Sequence, residues 1–214
     1  MFMTRDKPIY WYNIVEDALA SMEMLSEQVP QVITKPYCWK WAIIAMHSTL
    51  QAFMAIALAG SNNYLVIREK HQKHWIKFHE DLREGHKPQA KLMELESMPL
   101  LYERIKNVEM MGRYVDSKPF TPNEYQDRFV KLLHDHRSDL THFMPTLSLG
   151  LYPRDLALIL QQCFGIVKFL AFESENMNWH HYEPNVLKRV TELMQKNELQ
   201  INNILKELQQ LGKF

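Results

Sequence analysis

The chain has 214 residues, and its 25 Lys and Arg are balanced by 25 Asp and Glu. That balance excludes a broad basic field of the kind that coats nucleic acid, although a small local site needs no such field. Six glycines and two cysteines exclude a turn-rich β-sandwich and a disulfide-stapled scaffold, while thirteen methionines among abundant Leu, Gln, Glu and Lys point to helices.

A first helix is expected from about Ile9 to Gln28, because Ile14, Val15, Ala18, Leu19, Met22 and Leu25 recur at three- and four-residue spacing. Pro30 and Pro36 bracket a connection, and a second helix runs from Pro36 to the stop at Gly60. It is apolar nearly all round, with Ala42, Ala45, Ala52 and Ala55 allowing close approach, and so reads as the central helix. Its Trp39 to Gly60 stretch is the one membrane candidate read from the sequence. Lys40, His47, Ser48, Thr49 and Gln51 interrupt it, leaving an apolar run short of about 20 residues, so no membrane span is expected. Tyr64 to Glu84 is more polar and crowds Arg68, Lys70, His71, Lys73, His74, Lys77 and His79 together before Gly85 to Pro88 breaks it.

A helix from about Pro99 to Gly112 follows, then a connection from Asp116 to Pro122. Thr121-Pro122-Asn123-Glu124 has the pattern of a capping box and predicts a helix from Pro122, carrying Phe129, Leu132, Leu133, His136, Leu140 and Phe143 until Pro145. Pro153 opens the next helix, and Asn176 to Pro184 is a turn region. The last helix, about Asn185 to Leu211, has a heptad-like seam of Leu187, Met194, Ile201 and Leu208, with Val190, Ile204 and Leu211 at partner positions and Asn197 interrupting them. It either packs on the bundle or contributes to a dimer. The expectation is an all-α bundle of about six or seven helices, one domain spanning residues 1–214. Cys38 and Cys163 sit in apolar stretches without a C-x-x-C partner, and are read as buried thiols of a reducing, cytoplasmic setting, with no secretory-signal pattern.

Chemistry concentrates in His134-Asp-His-Arg-Ser-Asp-Leu-Thr-His142. On an ideal helix Arg137 and His142 lie about 140° apart, so they converge only if the last turn loosens or a symmetry-related helix supplies a second pair. Asp139, three positions before His142, is placed to orient it. The negative helix end favours the imidazolium form of His142, suiting it to move protons, and Arg137 suits a phosphate. RNA carries its own nucleophile in the 2′-hydroxyl, so this pairing needs no metal, cofactor or protein nucleophile to cleave it. Ser138, His136 and Thr141 are candidate substrate contacts. The spacing alone is weak, since Arg68 and His74 form a similar pair.

An arginine followed by four residues and a histidine, near the end of a helix in an all-α chain, resembles the HEPN superfamily. The aromatic-rich stretch Tyr37-Cys-Trp-Lys-Trp-Ala-Ile-Ile-Ala-Met-His-Ser-Thr-Leu-Gln51 is similar to the early helix of bacterial and plasmid-borne HEPN-like proteins. The likeness covers residues 5–175. It implies a homodimeric helical bundle with a composite ribonuclease site, and a toxin or anti-phage effector neutralised by an antitoxin protein. The polar residue that the family carries after its arginine is Ser138 here, with Asp139 one place later as the stand-in. A different class of reading is a non-catalytic helical module that binds a protein partner.

The remaining histidines carry less. His71, His74 and His79, or His134 with His136, have spacings that suit metal ligands, but without Cys or an H-E-x-x-H pattern they read as solvated faces, and no metal is expected. His47, within an apolar helix, reads as a buried, hydrogen-bonded histidine, or as a group supporting Arg137 if the two lie close. The basic run Arg68 to Lys77 is a solvated face or a contact for RNA backbone.

Overall fold

The structure is a computed structural model that describes residues 13–60, 63–88, 93–142, 150–177, 179, 182 and 184–212. It is all-α: eight helices are present among the described residues and no strand, only an isolated antiparallel bridge between Ile67 and Leu95.

Helix α1 (Ile14–Gln28) starts where Asn13 Oδ1 accepts from the amides of Val15 and Glu16, at 2.9 and 3.0 Å. This satisfies two of the amides that a helix start leaves open, and Glu16 and Asp17 add favourable charge there. The predicted stripe of Val15, Ala18, Leu19, Met22 and Leu25 is buried; the expected earlier start at Ile9 lies outside the described residues. Helix α2 (Cys38–Ala59) is central. It packs on α1, α4 (Met98–Lys106), α6 (Gln126–Thr141) and α7 (Pro153–Phe172). Its four predicted alanines are buried, since small side chains let several helices approach one axis. Gly60 ends it at φ +50°, where a β-carbon would meet the Arg113 guanidinium at 3.0 Å.

Helix α3 (Glu69–Arg83) buries no residue and stands apart from the continuous apolar core formed by the other helices. It stops in a Schellman turn: His86 N donates to Asp81 O, Gly85 N donates to Leu82 O, and Gly85 takes φ +82°. The segment predicted as one helix from Pro99 to Gly112 is two, α4 and α5 (Val108–Met111), which raises the helix number to eight. Asn107 divides them. Its side chain accepts from the amides of Glu109 and Met110, capping α5 in competition with continuing α4. Before α4, Glu96 and Arg104 form a buried ion pair at 3.2 Å, and Arg104 also donates to Leu65 O at 2.7 Å.

Helix α6 begins four residues later than expected. The reciprocal cap is Asn123 with Gln126, not Thr121 with Glu124: Asn123 Oδ1 accepts from Gln126 N, and Gln126 Oε1 accepts from Asn123 N. Pro122 therefore lies before the helix rather than inside it. The helix ends at Thr141, with His142 as its C-cap, short of the expected end at Pro145. Helix α8 (Pro184–Gln210) turns Val190, Met194, Ile201 and Leu208 inward against α1 and α7. Asn197 is buried and donates to Met22 O and Leu193 O. Leu187 and, just past the helix end, Leu211 belong to the predicted seam but are exposed, as is Leu199; the three fall about 120° apart around an ideal helix and make no second seam.

Both α2 and α7 are long and apolar enough to cross a membrane, so α7 joins the single candidate read from the sequence. Each has more than half of its most apolar window buried inside the bundle, the burial expected of core helices. Cys38 and Cys163 are buried free thiols, and burial pushes the Cys163 thiol well up.

Candidate functional site

The C-terminal half of α6 brings several of the predicted residues to one end of the bundle but spreads them around its axis. Arg137 is half-buried on the side of α6 that faces α2, and its charge acts on the buried His47. Among the described residues the Arg137 guanidinium has no hydrogen bond and no ion pair. His142 caps the helix end and is exposed, its amide donating to Ser138 O at 2.9 Å. The last turn does not wind Arg137 and His142 onto one face, and no contact joins them. Asp139 is exposed, three residues from His142, and makes no hydrogen bond to it.

The three candidate substrate contacts are placed differently. Thr141 is exposed, but its hydroxyl donates back to the carbonyls of Arg137 and Ser138, at 2.8 and 3.1 Å, satisfying oxygens that the helix end leaves open. Ser138 is half-buried. His136 is half-buried too, and its Nδ1 is shielded from solvent without a hydrogen-bond partner. By helical geometry His136 sits about 100° from Arg137, toward the flank of α6 that carries Phe129.

The histidine that does share the Arg137 face is His134, one turn earlier. His134 Nδ1 lies 3.3 Å from His47 Nε2 of α2, with the two rings stacked at 5.5 Å between centroids. His47 is 5% exposed. Burial lowers its pKa from 6.5 to about 3, helped by the charges of Arg137 and His134, so at neutral pH its imidazole is uncharged. The sequence reading of a buried, hydrogen-bonded His47 is what the structure has, and the proximity to Arg137 is also there. Its partner His134 was not singled out as a site residue, although the spacing of three to Arg137 was a readable signal.

His134 also borders a groove of about 390 Å³ between α4 and α6. Met98, Pro99 and Val130 make its apolar wall, and Lys106 and Lys131 stand at its edge. Lys106 is shared between Glu103 and Asp127, at 2.7 and 3.3 Å. Tyr102 donates to the same Asp127 at 3.0 Å; burial and that hydrogen bond raise its hydroxyl pKa far above the ordinary range.

The basic run behaves otherwise. Arg68, Lys70 and His71 converge on Glu94, at 2.7, 2.7 and 3.4 Å, and the Lys70 hydrogen bond leads in holding that carboxyl below its usual range. Three of its basic groups are therefore occupied, while Lys73 and Lys77 are exposed. Trp75 stacks on Phe78, and His79 meets both rings edge-on, along the half-buried side of α3. Among the described residues one group brings three metal-ligand atoms within 4.8 Å, Asp81, Glu84 and His86 at the end of α3, and only Asp81 of these is even partly shielded.

No family model, no curated protein and no solved structure matches this chain. The likeness to HEPN proteins therefore rests on its own residues.

Proposed function

We propose that this chain is a metal-independent endoribonuclease acting at the C-terminal end of α6, with Arg137 as its phosphate-binding group. The observation that carries the reading is the state of Arg137. A guanidinium with five donors is half-buried and meets no carboxylate or carbonyl among the described residues. Partial burial of an unpaired cation is costly, and an anion that arrives as substrate removes that cost. A phosphodiester fits the planar donor fork, and it alone among common anionic esters carries an internal nucleophile when it belongs to RNA. Attack of the 2′-oxygen on phosphorus then leaves a 2′,3′-cyclic phosphate and a free 5′-hydroxyl. In this reading His142 moves a proton and Asp139 tunes it from the adjoining turn. Because Arg137 and His142 lie about 140° apart on one helix, a homodimer in which each copy completes the other's site follows from the reading. So does a neutralising protein partner, if the enzyme serves as a toxin or anti-phage effector.

The exposed placement of His142, away from Arg137, favours one competing reading, a non-catalytic helical module that binds a protein partner. The two separate in one experiment. Purified wild type, Arg137→Ala and His142→Ala are incubated with total and transfer RNA in EDTA, and products are probed for cyclic phosphate ends. The enzyme reading expects cleavage by the wild type and loss of about 100-fold or more in each folded variant. An inert wild type, or variants that cut equally well, gives the place to the interaction module.

A further inference from the structure

We propose that His134 is the base that takes the 2′-hydroxyl proton in this site, and that His47 positions it by accepting, at its Nε2, a hydrogen bond from His134 Nδ1. The inference rests on the ribonuclease reading above and adds a residue outside the Arg137–His142 motif.

Geometry comes first. His134 and Arg137 are three residues apart, about 60° around α6 and about 4.5 Å along it, whereas His142 is about 140° around and about 7.5 Å along. A phosphate gripped by Arg137 therefore lies nearer the His134 side of α6 than the His142 side. His134 also borders the α4–α6 groove, which gives a nucleotide a route to its ring.

The tautomer comes next. A base must present an unprotonated nitrogen to the substrate, so its other nitrogen must carry the proton and needs an acceptor. At His134 the only hydrogen-bonding neighbour among the described residues is His47, whose Nε2 lies 3.3 Å from His134 Nδ1. Burial and the charge of Arg137 keep His47 uncharged, so its Nε2 has a lone pair to offer once its own proton is on Nδ1. His134 is then held with Nδ1–H toward His47 and Nε2 free. A neutral imidazole does here what a carboxylate does in many acid–base triads: it fixes orientation and supports the charge that appears on the base. In the step itself the 2′-oxygen bonds to phosphorus, its proton passes to His134 Nε2, the bond from phosphorus to the 5′-oxygen breaks, and that oxygen takes a proton from His142 of a second copy. Exchange through water then returns the proton from His134 to His142.

The test combines cleavage with a spectroscopic readout. Nitrogen-15 NMR of the wild type is expected to show His134 protonated at Nδ1 and free at Nε2; the reverse assignment overturns the proposal. His134→Gln, a half-exposed position, is expected to lower cleavage about 100-fold or more. His47→Leu is expected to shift His134 to the Nε2–H tautomer and to lower cleavage about 10-fold, with His47→Gln restoring most of it through its carbonyl oxygen. If His47→Leu does not fold, His134→Gln and the wild-type spectrum still decide the matter. Wild-type cleavage that needs Arg137 but survives His134→Gln refutes this inference alone. An inert wild type removes the ribonuclease reading and this inference with it.

Discussion

Lowering the pH from 7 to 5 is expected to destabilise the fold by about 2 kcal/mol through His47 alone. His47 is 5% exposed, and its imidazole is lowered from 6.5 to about 3, first by burial and then by the charges of Arg137 and His134. Between those two values the unfolded chain holds a proton that the folded chain refuses. Stability is therefore complete above about pH 6.5 and drains away as the pH falls toward about 3. One unit is worth about 1.4 kcal/mol, and roughly one and a half units separate the upper value from pH 5. The assay is urea unfolding of the wild type and His47→Gln at pH 7 and pH 5. Glutamine keeps a polar group for His134 but does not titrate, and the other nine histidines are common to both proteins, so the difference of differences isolates His47. The wild type should lose about 2 kcal/mol more than the variant over that interval. Arg137→Gln removes the second cause and leaves the first and largest, so its loss between pH 7 and 5 should stay close to the wild type's, and the further loss below pH 5 should level off at a higher pH. Equal losses in the wild type and His47→Gln, or a His47 ring that titrates near 6.5 by NMR, would refute the argument.

Two further outcomes concern the frame around the site. Glu96→Ala should cost about 3 kcal/mol in urea unfolding, because it strips a buried arginine of its ion-pair partner and Ser97 N of its acceptor. Glu96→Gln keeps an oxygen for only one of the two donors, since Ser97 N and Arg104 use different carboxylate oxygens, and should cost roughly 2 kcal/mol. Asn123→Ala should cost about 1 kcal/mol by removing the acceptor for the Tyr125 and Gln126 amides. Thr121→Ala, at the position the sequence pattern favoured, should stay within about 0.5 kcal/mol in the same measurement.

What was legible in the sequence was periodicity, and periodicity reports faces. The stripe of α1 and the all-round apolarity of α2 appear at the predicted residues, and the seam of α8 does between Val190 and Leu208 though not at Leu187 or Leu211, because burying an apolar face decides a helix more firmly than any local preference. Helix ends were less legible. Thr121-x-x-Glu124 and Asn123-x-x-Gln126 overlap by two residues and both satisfy the capping pattern; which one wins depends on where α6 must start to set Phe129, Val130 and Leu133 against the core. Asn107 is a similar case. Its side chain offered the backbone an alternative that the apolar spacing of Leu101, Ile105 and Met111 did not reveal.

The site divides along the same line. Arg137 and His142 are visible as a spacing, but a spacing of five states only that they part around the helix, and the structure leaves them parted. The spacing of three between His134 and Arg137 is a contact on any helix, and needs no assumption about a loosened turn or a second copy. What no local pattern carries is His47, 87 residues away from His134 in the chain and brought to 3.3 Å only because α2 and α6 pack together. An imidazole on an apolar helix has to find a polar partner or forfeit its hydrogen bonds. The sequence thus announces that His47 has a partner, and tertiary packing alone names it. That the partner is a second imidazole beside an unpaired guanidinium is the reason to look for acid–base chemistry here: a purely structural histidine is served as well by a backbone carbonyl, which would leave no titratable group facing the groove.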